Sequence, residues 1–382
     1  MKFVFASDSF KGTLSSEQTG ELLQRAAREV FGDCETVRKR MADGGEGTMD
    51  AILYELGGKK ISVNVHDPLM KVIRGYYGMT QNRIAVIEMA QASGLPLVPK
   101  EKRNPLYTSS YGTGELVRDA LENGADEILL AIGGSATNDG GMGFANALGV
   151  KFLDKAGREL EGKGIDLEKV ANIDVSGMFP KARRTKFTVM CDVTNPLCGT
   201  NGATYTYGRQ KGASDEELLR LEMGMQNYRD VIRKEFGIDP DQITGSGAAG
   251  GMGAALSVFF HAKMKSGVET VLDIIKFDDI IRAADYIITG EGRADGQSVN
   301  GKVLSGVGKR GLENDIPVIA LCGSLGEGYE KLSECGIVSM LSVSEGVELE
   351  DCMKNAEHFY YKKAVEMFGR IKESRLNLDS QV

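Results

Sequence analysis

The chain opens on a short apolar run, Lys2–Ala6, and then changes period. From Ser15 to Phe31 the apolar residues Leu22, Leu23, Ala26, Ala27, Val30 and Phe31 recur at helical spacing. Ser15 with Gln18 three residues later is a capping-box pattern, which predicts where that helix starts. Glu35–Arg40 reads as a weaker strand and Glu46–Leu56 as a second helix, opened by Gly44-Gly45. From Gly57 the texture changes. Ile61-Ser62-Val63-Asn64-Val65 alternates, and Gly75–Met79 and Ala85–Met89 follow with little helical signal, which suggests an antiparallel or mixed sheet with one solvated face. Glu115–Asn123 reads as helix, and Glu127–Ile132 and Phe187–Cys191 as strands buried on both faces. Asp215–Phe236 is a long amphipathic helix and Ala248–Met264 a largely apolar one lying between layers.

Clean alternation returns at the end. Strands are expected at Tyr286–Thr289, Pro317–Cys322 and Val338–Val343, with helices near Val303–Leu312 and Asp351–Arg370 and a disordered tail after Ile371. Because this texture both opens and closes the chain, the pattern predicts an α/β protein with a discontinuous, Rossmann-like parallel-sheet domain, residues 1–60 plus 285–382. A mixed-sheet α/β domain, residues 61–284, is inserted in it, and the active site is expected in the cleft between the two. Residues 96–149 fall in the insert without a pattern that ties them to it.

Length and composition agree with two folded domains. The 382 residues exceed a usual single core, and 42% are hydrophobic. Glycine is the outlier, at 49 residues against 8 prolines, which points to many tight strand-to-helix loops. The net charge of −8, with no basic block longer than Arg38-Lys39-Arg40 and Arg183-Arg184, excludes a broad nucleic-acid-binding face. The six cysteines include no CxxC and read as reduced thiols of a cytoplasmic protein. The opening apolar run is too short for a secretory signal, and no stretch approaches the roughly 18 apolar residues of a membrane span. A soluble monomer or homodimer is expected.

Five loops carry candidate chemistry. Ser7-Asp8-Ser9-Phe10-Lys11-Gly12-Thr13 lies between a first strand and a first helix, where ligands bind in open α/β sheets. Asp8 could orient a hydroxyl there and Lys11 hold a phosphate, although any such loop needs polar residues. In Ala42-Asp43-Gly44-Gly45-Glu46-Gly47-Thr48, Gly44 and Gly45 free consecutive N–H groups as an anion nest, and Asp43 suits Mg²⁺. An ordinary glycine-rich helix start is the alternative. The loop Gly133-Gly134-Ser135-Ala136-Thr137-Asn138-Asp139-Gly140-Gly141 is richer in hydroxyl, amide and carboxylate groups than a plain turn requires, and Ser135 and Asn138 are its substrate-binding candidates.

Asp192 closes an apolar strand in Cys191-Asp192-Val193-Thr194-Asn195-Pro196, where partial desolvation suits a general base. Downstream, Arg209 and Lys211 in Tyr207-Gly208-Arg209-Gln210-Lys211-Gly212 could hold an anionic substrate or form a solvated basic turn. The fifth loop, Thr289–Lys302, contains Gly290-Glu291-Gly292, Asp295 as a second metal candidate, and Gly301-Lys302. Gly296–Lys302 spells G-x-x-x-x-G-K, but Val303 stands where a P-loop needs Ser or Thr, so only Lys302 meeting phosphate is retained. Gly245–Gly250 spells G-x-G-x-x-G without a preceding strand, and helix packing explains it better. His66, in a loop, and His261 and His358, in helices, are isolated and suggest no zinc site or triad.

In order along the chain, ASDSFKGTLSS, MADGGEGT, EMAQASGL, TSSYGTGEL, IGGSATNDGGMG, CDVTNPLCG, YGRQKGA, GSGAAGGMGAAL and ITGEGRADGQSVNGK resemble the glycerate kinase type 1 family over residues 1 to about 370. Ser7 stands where many members carry Pro. The resemblance implies an ATP- and Mg²⁺-dependent kinase of two α/β domains whose substrates are ATP and D-glycerate and whose usual product is 2-phosphoglycerate. The loop chemistry agrees, because phosphoryl transfer needs positioning and charge neutralisation and does not require His or Cys. A nicotinamide-dependent hydroxyacid oxidoreductase using Gly245–Gly250, or a non-catalytic protein binding nucleotide or glycerate, are the rival readings. The number of carboxylates placed near anion-binding loops disfavours both.

Overall fold

The structure, a computed structural model, describes residues 1–10, 12–45, 47–299 and 301–379. The chain divides into two compact units, Met1–Asp43 with Val268–Val382, and Gly44–Gly267. Both crossings fall before the expected residues 60 and 284.

The first unit opens with β1 (Lys2–Ser7), in which Phe3, Val4, Phe5 and Ala6 are buried. Helix α1 (Ser16–Phe31) starts where the capping box predicts: Ser15 Oγ accepts the Gln18 amide at 3.2 Å, and Gln18 Oε1 accepts the Ser15 amide at 2.9 Å. Its buried stripe is Leu22, Leu23, Ala26 and Ala27. β2 (Glu35–Arg38) pairs parallel with β1.

The second unit then runs α2 (Thr48–Leu56), β3 (Gly58–His66), β4 (Val72–Thr80), β5 (Ile84–Glu88), α3 (Ala90–Ser93), α4 (Tyr111–Glu122), β6 (Glu127–Ala131) and α5 (Met142–Ala147). A ribbon of β7 (Lys151–Leu153) and β8 (Asn172–Asp174) leads to β9 (Lys186–Met190), α6 (Ala203–Tyr207), α7 (Asp215–Phe236), α8 (Ala248–Phe260) and β10 (Lys263–Lys265). The sheet order is β10-β9-β6-β5-β4-β3. It is parallel from β10 to β5 and antiparallel from β5 to β3, the mixed sheet that the alternating texture predicts. Residues 96–149 belong to this unit. So does α2, because it packs on β4 and β5 and the Met49 amide donates to Glu88 Oε1 at 2.9 Å.

Two sequence expectations are corrected here. The helix expected over Ala248–Met264 stops at Phe260: His261 turns left-handed (φ 51°), which frees Lys263–Lys265 to pair with β9. His66 ends a strand and is not in a loop; its amide and Nδ1 meet the Glu115 carboxylate at 2.7 and 3.0 Å.

The first unit resumes with α9 (Gly267–Ile274), α10 (Phe277–Ile281), β11 (Tyr286–Gly290), β12 (Arg293–Ala294), α11 (Val303–Glu313), β13 (Val318–Cys322), β14 (Ser324–Leu325), β15 (Ile337–Ser342), α12 (Leu349–Lys354) and α13 (Ala356–Asp379). Its main sheet is wholly parallel, in the order β15-β13-β11-β1-β2. Strand side chains alternate between faces. Phe3, Phe5, Ile288, Ile319 and Leu321 pack under α1 and α13, and α11 covers the other face, where Gly311 lies close to Val318 and Ile287. The helix expected over Asp351–Arg370 is two helices, broken at Asn355. The second continues to Asp379 where a disordered tail is expected, and residues 380–382 lie outside the described ones. Among the described residues no helix is long and apolar enough to cross a membrane. All six cysteines are free thiols.

Candidate active site

In the first unit the chain moves outward from β1 to β2 on one side and from β11 through β13 to β15 on the other. Such a switch point opens a crevice at the carboxyl ends of the two central strands. A cavity of about 400 Å³ lies there, lined by Asp8, Asp43, Glu291, Arg293 and Lys302 among others. Each charged group is delivered by an identifiable local device. The Asp8 amide donates to Gly290 O at 2.9 Å, which fixes the first loop to the end of β11. Ser16 Oγ donates to Ser7 O and accepts the Met41 amide at 3.1 Å, so the start of α1 holds the segment that carries Asp43.

Glu291 follows Gly290, where a Cβ would stand 2.1 Å from Leu321 O. Its carboxyl is buried, and burial raises its pKa above the ordinary glutamate value, while the Ser298 hydroxyl bonded to Oε1 and the nearby Lys302 charge oppose the rise. Lys302 is the N-cap of α11, in extended conformation. Gly301 precedes it at φ 70°. Asp295 is not among the cavity-lining residues. Its Oδ1 accepts the Gln297 amide at 3.0 Å and its Oδ2 lies 3.6 Å from Arg293 Nε, the arrangement of a turn-holding residue. Lys11 lies outside the described residues.

No group of three or more His, Cys, Asp or Glu among the described residues could hold a metal ion by itself. Mg²⁺ commonly takes only one or two carboxylates together with substrate phosphates. Asp43 on the wall shared with Lys302 fits that pattern.

In the second unit the carboxyl ends of β5, β6 and β9 carry the remaining loops. A Cβ on Gly44 would lie 3.0 Å from Met190 Cβ, and Gly133 faces Gly45 Cα and Gly44 O at 3.6 and 3.7 Å from its own Cβ position. The two glycine pairs are thus stacked over the ends of β6 and β9. Asp192 follows β9, half-buried, with Oδ1 accepting the Gly267 amide at 3.1 Å. Glu88 ends β5 and was not singled out in the sequence. It is buried, and burial raises its carboxyl pKa despite the Met49 amide bond. The available signal was a carboxylate closing the apolar run Ile84–Ile87.

Lys211 is the largest surprise. It is 3% exposed, and its Nζ donates to Ser135 Oγ at 2.9 Å and to Thr137 O at 2.7 Å. Burial pulls its ammonium down to about 8, while the Asp139 charge works the other way. Asp139 is fully buried and accepts Ser110 N and Oγ, both at 2.7 Å, together with the Gly141 and Gly143 amides. It is the internal brace of the loop. Arg209 stays on the surface in an ion pair with Asp215, and Asn138 is buried with Nδ2 on Thr204 Oγ1 at 3.1 Å. The structure therefore joins Lys211 to Ser135 but brings neither Arg209 nor Asn138 to that pair through a hydrogen bond.

The G-x-G-x-x-G segment is occupied by packing. A Cβ on Gly247 would lie 2.1 Å from Pro196 O, and one on Gly250 2.1 Å from Thr137 O. No dinucleotide can approach backbone that is already pressed against another loop.

A glycerate kinase family profile matches residues 3–372. The chain belongs to the glycerate kinase family. It is 45% identical over 356 residues to a glycerate kinase of Halalkalibacterium halodurans, covering 93% of this chain and 94% of that one. It is 42% identical over 358 residues to the glycerate 2-kinase of Escherichia coli K12, with 93% and 94% covered. A solved structure described as a glycerate kinase 2 of Salmonella typhimurium LT2 superposes with a TM-score of 0.89 at 39% identity, covering 98% of this chain and 99% of that chain. Membership of the glycerate kinase family makes this chain a phosphotransferase acting on an alcohol group. It leaves the nicotinamide reading without support.

Proposed function

We propose that the protein transfers the γ-phosphoryl group of ATP to the 2-hydroxyl of D-glycerate, giving 2-phosphoglycerate and ADP. The first unit's loops take the nucleotide, and the second unit's loops take glycerate. The observation that carries this reading is that Lys302, Asp8, Asp43 and Glu291 line one cavity at the first unit's switch point. Cations and carboxylates gathered at strand ends are what a phosphate–metal complex requires.

The glycerate 2-hydroxyl oxygen forms a bond to the γ-phosphorus as the bond from that phosphorus to the β,γ-bridging oxygen breaks. Asp192 receives the hydroxyl proton, with Asp8 as the alternative acceptor. Lys302 neutralises charge on the transferring group. The Lys211–Ser135 pair positions the acceptor's carboxylate. Asp43 would hold Mg²⁺, which neutralises phosphate charge when bound. The free thiols and the use of ATP support a cytoplasmic enzyme.

Phosphorus NMR of the product tests this reading. A 2-phosphoglycerate resonance is expected; 3-phosphoglycerate would overturn the choice of hydroxyl, and no new phosphoester would overturn the reaction.

A further inference from the structure

The first unit's cavity is lined by two chemically different kinds of side chain. Besides the charged groups described above, it is lined by the apolar side chains of Phe10, Leu14, Val343, Met353, Ala356 and Tyr360. Phe10 and Tyr360 meet edge to face, with ring centroids 5.2 Å apart, and both are buried. Met353 on α12 is unlike its neighbours: it lines the same cavity yet is 50% exposed. A large thioether left in water beside buried apolar side chains gains most if a flat apolar group covers it, and methionine adapts readily to such a face.

Glycerate has three carbons, each bearing oxygen, so an apolar wall would only strip water from those oxygens. A nucleoside triphosphate carries both kinds of surface, a flat base at one end and phosphates at the other. Small-molecule sites of this type are largely apolar with a few placed polar groups, and they run from about 300 to 1,000 Å³. The cavity's 400 Å³ falls in that range.

We infer that the corner formed by Phe10, Val343, Met353 and Tyr360 is the seat of the adenine ring, with the phosphates directed toward Lys302. This rests on the kinase reading but assigns a base-recognition site that the charged loops alone do not.

Two experiments test it, and the first needs neither turnover nor a variant. The wild-type protein is exposed to dilute hydrogen peroxide, and sulfoxide formation at Met353 is followed by peptide mass spectrometry with ADP or with D-glycerate present. ADP is expected to slow oxidation of Met353 several-fold and D-glycerate to leave it unchanged. Protection by glycerate, or by neither ligand, would overturn the inference. Protection by ADP in a protein that never phosphorylates glycerate would sink the proposed reaction and leave the base site standing.

The second experiment uses Met353→Asp, at a half-exposed position. It should raise KM for ATP by about tenfold or more, since loss of one apolar contact to a substrate is worth roughly 10–200-fold. KM for glycerate should stay near the wild-type value, and preference for ATP over GTP should narrow. A rise confined to KM for glycerate would reassign the corner to the acceptor.

Discussion

Lys302 and Lys211 both sit beside glycine loops, but their surroundings give them different work. Lys302 faces the cavity from the N-cap of α11, where its charge is available to a bound anion. Lys302→Ala should therefore lower kcat by about 10²–10³, the scale of removing one preorganised charge-stabilising donor, with little change in Tm. Steady-state kinetics beside calorimetry checks both halves. Lys211 is buried, and its ammonium, at about 8, lies below the 10.5 of the free side chain. The unfolded chain thus binds more protons between those values, so this group's contribution to stability improves as pH rises from about 8 to 10.5. The charged form that holds Ser135 and Thr137 is lost over the start of the same window. Activity should fall with an apparent pKa near 8, and Lys211→Met should lower kcat and remove that alkaline limb from the kcat–pH profile.

The base assignment also belongs at this scale. Asp192→Asn should cost about 10²–10⁴ in kcat while sparing ATP affinity. Normal turnover of Asp192→Asn beside a crippled Asp8→Asn would move the role to Asp8. Recovery of Asp192→Asn at high Mg²⁺ would make it a metal ligand.

Among the elements, the second unit's site depends on how closely its loops interlock. Gly250 at φ 72° lies against Thr137 O, and its carbonyl accepts the Gly140 amide at 2.9 Å. Gly250→Ala would add a left-handed alanine and a backbone clash, together worth about 2–5 kcal/mol of lost stability. A clearly lower unfolding midpoint in urea is expected, and a midpoint within error of wild type would show that the loops can separate freely.

These elements also show what a sequence reveals. The capping box at Ser15–Gln18, the amphipathic pattern of Asp215–Phe236 and the period-2 texture of β3 are local signals, and both helices and the mixed sheet follow from them. The left-handed run Ala249–Gly251 is invisible within an apolar stretch, because hydrophobic pattern carries no sign of φ. Lys211 was legible as a cation beside glycines but not as a buried one, since its local sequence equally suits a solvated turn. Arg209, two residues away, takes that solvated role. Asp8, Asp43, Glu291 and Lys302 were each legible as loop residues; only the fold of the first unit brings them around one cavity.

For the whole molecule, the two units follow from the α/β texture at both chain ends, although the crossings at residues 43 and 267 depend on where α2 and α9 pack, which is a tertiary matter. The chain-long family match ties those units to one reaction class. The central claim is that this geometry serves acceptor-dependent phosphoryl transfer. Its most direct test is ATP consumption by the purified protein in a coupled assay, measured with D-glycerate and Mg²⁺ together and with each left out. The account predicts sustained ADP release only when both are present; release that ignores D-glycerate, or none under any of these conditions, would contradict it.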